Sequence, residues 1–185
     1  PGQNFGWPLF EGIEASPVYW PQLVENGDTP NPLAGQGGCG VGHFRFQDLI
    51  QQAHEGHATF FPNPCDPLVG IAAGTPTFVH AMPVLDWRRN VDDVRVPVFE
   101  NGVPVPRRLG SPEAGIPGPQ FHGSCSMGGV WHSGLSFPIE YGPCYFHADF
   151  NDGWIRRMEF DAQDQLLAVH DLTTVTYPLI LGEHP

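Results

Sequence analysis

The sequence contains no lysine, so its 8 basic residues are all arginine and face 20 acidic residues, for a formal net charge of −12. A chain this acidic is repelled by the phosphate backbone of nucleic acids and by anionic lipid surfaces. It also has no apolar run of the roughly 18 to 20 residues that a membrane-spanning helix needs. The sequence therefore predicts no nucleic-acid partner and no membrane partner.

No pair among the four cysteines has the C-x-x-C spacing, which argues against a zinc ribbon. Two disulfides in an oxidising compartment and four buried thiols both remain open, and the even count in a Gly/Pro-rich chain favours disulfides. The expected pairs are Cys39–Cys65, which would clip the intervening segment as a lobe, and Cys125–Cys144, across the loop 134–143.

The chain has little room for long helices, because 23 glycines and 21 prolines interrupt it. Short runs bounded by turn residues predict an all-β fold, with "NDG" (151–153) and "DAQDQ" (161–165) as tight turns between strands. A long loop is expected over 103–123. The strands are predicted at 83–87, 94–102, 128–134, 143–150, 154–160 and 165–172.

Residues 25–82 are irregular, and we interpret them as an insertion. Within it, the segment 44–57 is predicted to be helical, because Phe46, Leu49, Ile50 and Ala53 fall on one helical face. The histidines at 54 and 57 could share a metal ion on this helix. A polar helix face explains them without a third ligand, and we favour that interpretation.

Several polar residues lie in and around the last strands. Asp149 and Asp152 are weak calcium candidates, although a hairpin turn explains "DFNDG" equally well. Ser124 and Ser126 with His122 suggest a nucleophile and a base, but they do not form a nucleophile elbow, so the sequence does not predict catalytic serine chemistry. The 120–128 loop and the 149–152 hairpin are the best candidate site. His132 and His147 either meet on paired strands or lie on a solvated sheet face.

Two segments carry a family resemblance. "GQNFGWPLFEG" (2–12) and "GGVWHSGLSFPIEYGPCYFHADFNDGWIRRMEFD" (128–161) resemble the glucose/sorbosone dehydrogenases, six-bladed β-propellers that oxidise sugars with pyrroloquinoline quinone (PQQ). The resemblance implies that residues 1–185 are the C-terminal part of a secreted or periplasmic propeller. It would hold two to three blades of antiparallel strands and the 25–82 insertion. The remaining blades of the parent chain would be its partner and would supply the catalytic base.

The resemblance also implies cofactor-binding positions at His122, Ser126 and Asn151, with PQQ and calcium as expected cofactors. Asn151 stands where the family's sugar oxidase has a lysine, and PQQ carries three carboxylates that cationic side chains would pair. Two hypotheses follow. The chain is part of a dehydrogenase that transfers hydride from a small sugar to PQQ and is inactive alone, or it is a non-catalytic propeller module that binds carbohydrate or protein.

Overall fold

The computed structural model describes residues 3–53, 60–133 and 137–172, which consist of short strands, turns and brief 3₁₀ segments. The all-β class predicted from the sequence is confirmed. The chain forms two compact units, the first made of Pro1–Pro83 with Val98–Val105 and the second of Val84–Pro97 with Pro106–Pro185. Within the described ranges, no helix has the length and apolar character needed to cross a membrane.

The first unit is made of short two-stranded ladders. β1–β2, β3–β4 and β6–β7 are antiparallel pairs, whereas β5 and β8 pair in parallel. Its strands are β1 Phe10–Glu11, β2 Glu14–Ala15, β3 Glu25–Pro30, β4 His43–Arg45, β5 Ile50–Gln51, β6 Pro62–Asn63, β7 Asp66–Gly70 and β8 Phe78–Val79. Its 3₁₀ segments are Trp20–Gln22, Gln36–Gly38 and Phe46–Leu49.

The N-terminal loop packs on a buried histidine in this unit. Gly6 adopts φ +82°, and a Cβ there would approach the His80 ring to 2.9 Å, so the turn requires glycine. Phe10 stacks on His80 with ring centroids 4.5 Å apart and also contacts Trp20. The loop is therefore fastened by aromatic packing, while Trp7 remains exposed.

The predicted helix at 44–57 is wrong over its described part. β4 passes into the 3₁₀ segment Phe46–Leu49 and then directly into β5. β4 pairs with β3 and β5 pairs with β8, so both flanks of the segment are drawn into extended ladders. Pairing with distant strands overrides the local helical spacing. The two histidines considered for a metal, His54 and His57, lie outside the described residues.

The predicted Cys39–Cys65 disulfide is confirmed. Beside it, Asn31 and Asn63 are buried and exchange hydrogen bonds between their side-chain amides, at 2.8 and 3.3 Å. Asn31 Nδ2 also lies 3.1 Å from Cys65 Sγ. A covalent link and a buried amide pair with satisfied hydrogen bonds therefore connect the chain near residues 31 and 39 to the chain near residues 63 and 65.

The second unit contains two larger sheets. β11–β10–β9 is a three-stranded sheet and β12–β13–β14–β15 a four-stranded one. The strands are β9 Asp86–Arg88, β10 Val91–Glu100, β11 Val103–Arg108, β12 Ser126–His132, β13 Cys144–Asp149, β14 Trp154–Phe160 and β15 Leu166–Asp171. A 3₁₀ segment covers Ile139–Tyr141. The end of β10 and the start of β11 belong to the first unit by their contacts.

The four-stranded sheet is an antiparallel meander in which each strand lies beside the next along the chain. The predicted turn at 151–153 joins β13 to β14, with Asp149 opposite Trp154 and Gly153 at φ +62°. The predicted turn at 161–165 joins β14 to β15, where Asp161 Oδ1 accepts the N–H groups of Gln163 and Gln165. Both turn predictions are confirmed.

The predicted long loop over 103–123 is wrong at its start, where β11 forms. Asn101 and Gly102 both have positive φ, as a two-residue hairpin turn requires. Pro104 and Pro106 cannot donate to a ladder, and they are tolerated because β11 is an edge strand beside β10 alone. These two prolines are the reason that the sequence predicted a loop where β11 forms.

The predicted Cys125–Cys144 disulfide is wrong, because both thiols are free. Cys125 precedes β12, whose first residue lies opposite Asp149, whereas Cys144 lies opposite His132 at the other end of this strand pair. Antiparallel pairing thus separates the two cysteines by about 16 Å of strand, five residues at about 3.3 Å each. The same register places His147 opposite Gly129, so His132 and His147 do not form a cross-strand pair.

Candidate functional site

The candidate site lies where residues 121–126, called here the 121–126 loop, meet residues 150–153, the 150–153 turn. Asp149 joins them, because its Oδ2 accepts the N–H groups of Ser124 and Cys125 at 2.9 and 2.8 Å and its Oδ1 accepts the N–H of Asp152 at 3.0 Å. The Phe150 N–H also donates to the Cys125 carbonyl. The loop and turn predicted to form a site are thus joined by backbone-directed hydrogen bonds.

The Asp149 carboxylate remains ionised although it is 3% exposed. Burial alone would raise its pKa, but the N–H groups of Asp152, Cys125, Ser124 and Asn151 outweigh that effect and bring the pKa below its ordinary value. Gly123 faces this carboxylate, and a Cβ there would lie 2.7 Å from Oδ2. Close packing therefore requires glycine at this position of the loop.

His122 lies between two carboxylates. Its Nδ1 is 2.7 Å from Asp92 Oδ1, and its Nε2 is 3.4 Å from Asp152 Oδ1. The hydrogen bond to Asp92 is the main cause that raises the pKa of His122, and the charge of Asp152 adds to it. The imidazole is 39% exposed, so a ligand in solution can reach this arrangement.

Ser124 and Asn151 complete a set of solvent-accessible hydrogen-bonding groups. Ser124 Oγ donates to Asp152 Oδ2 at 3.3 Å and accepts from Asn151 Nδ2 at 3.1 Å. We call Asp92, His122, Ser124, Asn151 and Asp152 the polar cluster. It brings together His122, Asn151 and Asp152 of the residues predicted from the sequence, and it adds Asp92, which lies 30 residues from its partner His122.

Ser126, the remaining predicted cofactor position, lies outside the polar cluster. Its Oγ is 3.0 Å from His147 Nε2, on the neighbouring strand β13. The Ser126 side chain is exposed, whereas His147 is 8% exposed. The sequence did not reveal this contact, because the two residues are 21 positions apart and the bulge between Ser126 and Gly129 shifts their register.

An aromatic layer supports the loop from beneath. Trp87, Phe121 and Trp154 lie with ring centroids 4.9 to 6.0 Å apart. Trp154 Nε1–H donates to the His122 carbonyl at 2.7 Å, so the indole fixes the loop backbone as well as its packing. Arg156 lies over the Phe121 and Trp154 rings and pairs with Asp171. This guanidinium is therefore engaged within the core.

The side chains that could bind a cofactor or a metal ion are mostly hydrogen-bond acceptors, and these already accept hydrogen bonds from other groups of the protein. Backbone N–H groups occupy both oxygens of Asp149, one of the two calcium candidates, while Asp152 is shared with Ser124 and His122. In the part of the chain that the structure describes, no group of three or more His, Cys, Asp or Glu side chains is arranged to hold a metal ion. Calcium and PQQ stay predictions.

Comparisons of this chain with family profiles, with curated proteins and with solved structures found no match.

Proposed function

We propose that this chain is part of a sugar-dehydrogenase-like β-propeller in which the polar cluster binds saccharide hydroxyl groups. The order β12–β13–β14–β15 is that of a propeller blade, a four-stranded antiparallel meander. The segment that carries the resemblance, 128–161, supplies most of this meander. These two features support the proposal that the meander is one blade of a larger ring.

The polar cluster itself is the observation that carries the proposal. It offers carboxylate acceptors, an imidazole, a hydroxyl and an amide within reach of one another on an accessible surface. Neighbouring sugar hydroxyls are both donors and acceptors, and they satisfy such a mixed set without adding charge. Phe150, 70% exposed and bonded through its backbone to the loop, offers an apolar face beside it.

Charge favours a neutral ligand over PQQ at this cluster. Asp92 and Asp152 flank His122, so even a protonated imidazole leaves one net negative charge on the three groups. The three carboxylates of PQQ would face this negative charge without a lysine or arginine from the cluster. We therefore favour saccharide binding without catalysis at the polar cluster. Oxidation of a small sugar by PQQ, with the base elsewhere in the parent protein, is the second candidate, which the resemblance of 128–161 supports.

The Cys39–Cys65 disulfide supports a secreted or periplasmic location for the protein, because such bridges persist in oxidising compartments.

Tryptophan fluorescence can test the proposal, because Trp154 donates directly to the His122 carbonyl. The chain is titrated with glucose, galactose, xylose and sorbose, and separately with PQQ in the presence and absence of calcium. We expect a saturable change with at least one sugar. Asp152→Asn should weaken that binding at least tenfold, about 1.4 kcal/mol. Asp161→Asn, at the exposed β14–β15 turn, is the matched control and should leave it unchanged.

Two results would count against saccharide binding at this cluster. One is no saturable response to any of the sugars in a chain that retains its native circular dichroism. The other is an equal response in the Asp152→Asn variant. Calcium-dependent PQQ binding that is tighter than any sugar binding would favour the dehydrogenase candidate instead.

A further inference from the structure

We propose that Ser126 and His147 form a nucleophile–base pair that accepts an acyl group from an ester. Ser126 Oγ lies 3.0 Å from His147 Nε2, within the range from which an imidazole takes the proton of an attacking hydroxyl. The pair is separate from the polar cluster. Its reactivity does not depend on saccharide binding.

The two side chains have the contrasting environments that such a pair needs. Ser126 is exposed at the start of β12, where a substrate carbonyl can reach its Oγ. His147 is 8% exposed and lies between aromatic rings, with centroids 5.3 Å from Trp87, 5.8 Å from Trp154 and 6.0 Å from Tyr145. The rings restrict the imidazole, so its Nε2 stays directed at the hydroxyl.

The surroundings of His147 favour a neutral base that can take up a proton transiently. Burial lowers the pKa of His147, while the charge of Asp149, two residues along β13, acts in the opposite direction. Arg156 lies opposite His147 on β14, but it is paired with Asp171. At neutral pH the imidazole is therefore free of its second proton, and the nearby carboxylate stabilises the imidazolium formed during attack.

The backbone after Ser126 leaves an approach to its hydroxyl. The ladder is bulged between Ser126 and Gly129, and Gly128 has φ +71°. A Cβ built on Gly128 meets no atom of the described residues within 4 Å, so these residues leave the space beside this turn open. β12 is also the first strand of the four-stranded sheet, and among the described residues no strand pairs with its outer side.

The reaction is an acyl transfer in two steps. Ser126 Oγ attacks the ester carbonyl carbon, its proton passes to His147 Nε2, and the bond to the leaving alcohol breaks as that proton is delivered to the departing oxygen. Water then attacks the acyl-serine in the same way. The hydroxyl proton is restored to Ser126, and the carboxylic acid is released.

A fluorophosphonate probe measures the reactivity of the serine, because Oγ attack on phosphorus expels fluoride and leaves a stable adduct. We expect an adduct on Ser126, located by peptide mass spectrometry, that forms at least 100-fold faster than in the chain unfolded in urea. Ser126→Ala should abolish it. Ser133→Ala, at an exposed serine just beyond the other end of β12, should retain it.

The pH profile of the wild-type chain gives a second test that does not depend on folding of a His147 variant. Labelling should rise with pH and level off once a single group with a pKa below the ordinary value of a histidine has lost its proton. His147→Gln, if it keeps the native circular dichroism, should lose at least 100-fold in rate. The proposal is overturned if labelling is no faster than in the unfolded chain, falls on Ser124, or does not follow this titration.

Discussion

Replacing Asp149 with asparagine tests whether one buried carboxylate joins the 121–126 loop to the 150–153 turn. In the native chain its two oxygens accept N–H groups from Ser124, Cys125 and Asp152. Asparagine has nearly the same shape but only one acceptor oxygen. Whichever way the amide is oriented, at least one of the three N–H groups then faces an NH₂ group and loses its partner.

The expected cost follows from the number and kind of bonds. A hydrogen bond to a charged group contributes about 1.5–3 kcal/mol, and a buried donor left without a partner costs about 1–3 kcal/mol. Asp149→Asn removes the charge from all three bonds and breaks one or two of them. We therefore expect the free energy of unfolding of the second unit to fall by about 2–4 kcal/mol.

Asp161→Asn is the matched control for this change. Asp161 Oδ1 also accepts two backbone N–H groups, from Gln163 and Gln165, both at 2.8 Å. Those bonds are exposed, so water can replace the lost acceptor. Because water can accept hydrogen bonds from both N–H groups, we expect the free energy of unfolding to fall by about 0.5–1 kcal/mol, near the net value of an ordinary hydrogen bond.

Urea unfolding, with hydrogen exchange of peptides covering 122–128, measures both variants. The pKa of Asp149 lies below its ordinary value, so its stabilisation is present above about pH 4, the unfolded pKa, and is lost as pH falls through the folded pKa. Asp149→Asn should lack this acid-dependent part. The reasoning is refuted if the two variants lose the same stability, or if exchange at Ser124 and Cys125 is unchanged in Asp149→Asn.

Three further outcomes are expected. Burial lowers the pKa of His80, so stability should be complete above about pH 6.5 and decline as pH falls from there towards the folded pKa; His80→Gln should flatten this part of the stability–pH curve. Removing the Cys39–Cys65 bridge, whose cysteines are 26 residues apart in sequence, should lower the free energy of unfolding by about 3.5 kcal/mol, because the unfolded chain regains its loop-closure entropy. Urea unfolding of the double alanine variant measures this loss. Gly123→Ala should lower the free energy of unfolding by about 1–3 kcal/mol through overpacking, measured by thermal or urea unfolding. Gly40→Ala, whose Cβ meets no atom of the described residues within 4 Å, should lower it by less than about 1 kcal/mol.

The hairpins of the four-stranded sheet could be predicted because their signals are local. Turn residues at 151–153 and 161–165 lie between runs of strand-forming residues, and turn chemistry there decides the structure within a few positions. The positive φ of Gly153 and the side-chain bonds of Asp161 show that chemistry at work. The pairing of Cys39 with Cys65 was predicted from the even number of cysteines, but that reasoning also predicted the pair Cys125–Cys144, which is wrong.

The failures share a dependence on contacts between distant positions. The spacing of Phe46, Leu49 and Ile50 suits a helix, but pairing of the flanking strands with β3 and β8 decides their conformation. Cys125 precedes β12 and Cys144 begins β13, so antiparallel register places them at opposite ends of the strand pair. A local sequence pattern does not specify how two strands align, so predictions from sequence spacing alone were wrong for these residues.

The candidate site shows the same division between what is local and what is not. The 150–153 turn and the small residues of the 121–126 loop can be recognised in the sequence. The distant side chains that form hydrogen bonds with this loop cannot. Asp92 reaches His122 from 30 residues away, and His147 reaches Ser126 from 21. Asp149 makes both arrangements possible, because its bonds to the N–H groups of Ser124 and Cys125 set where the loop ends and β12 begins. A substitution that loosens this carboxylate should therefore disturb the polar cluster and the Ser126–His147 pair together, whereas Asp152→Asn should disturb the polar cluster alone.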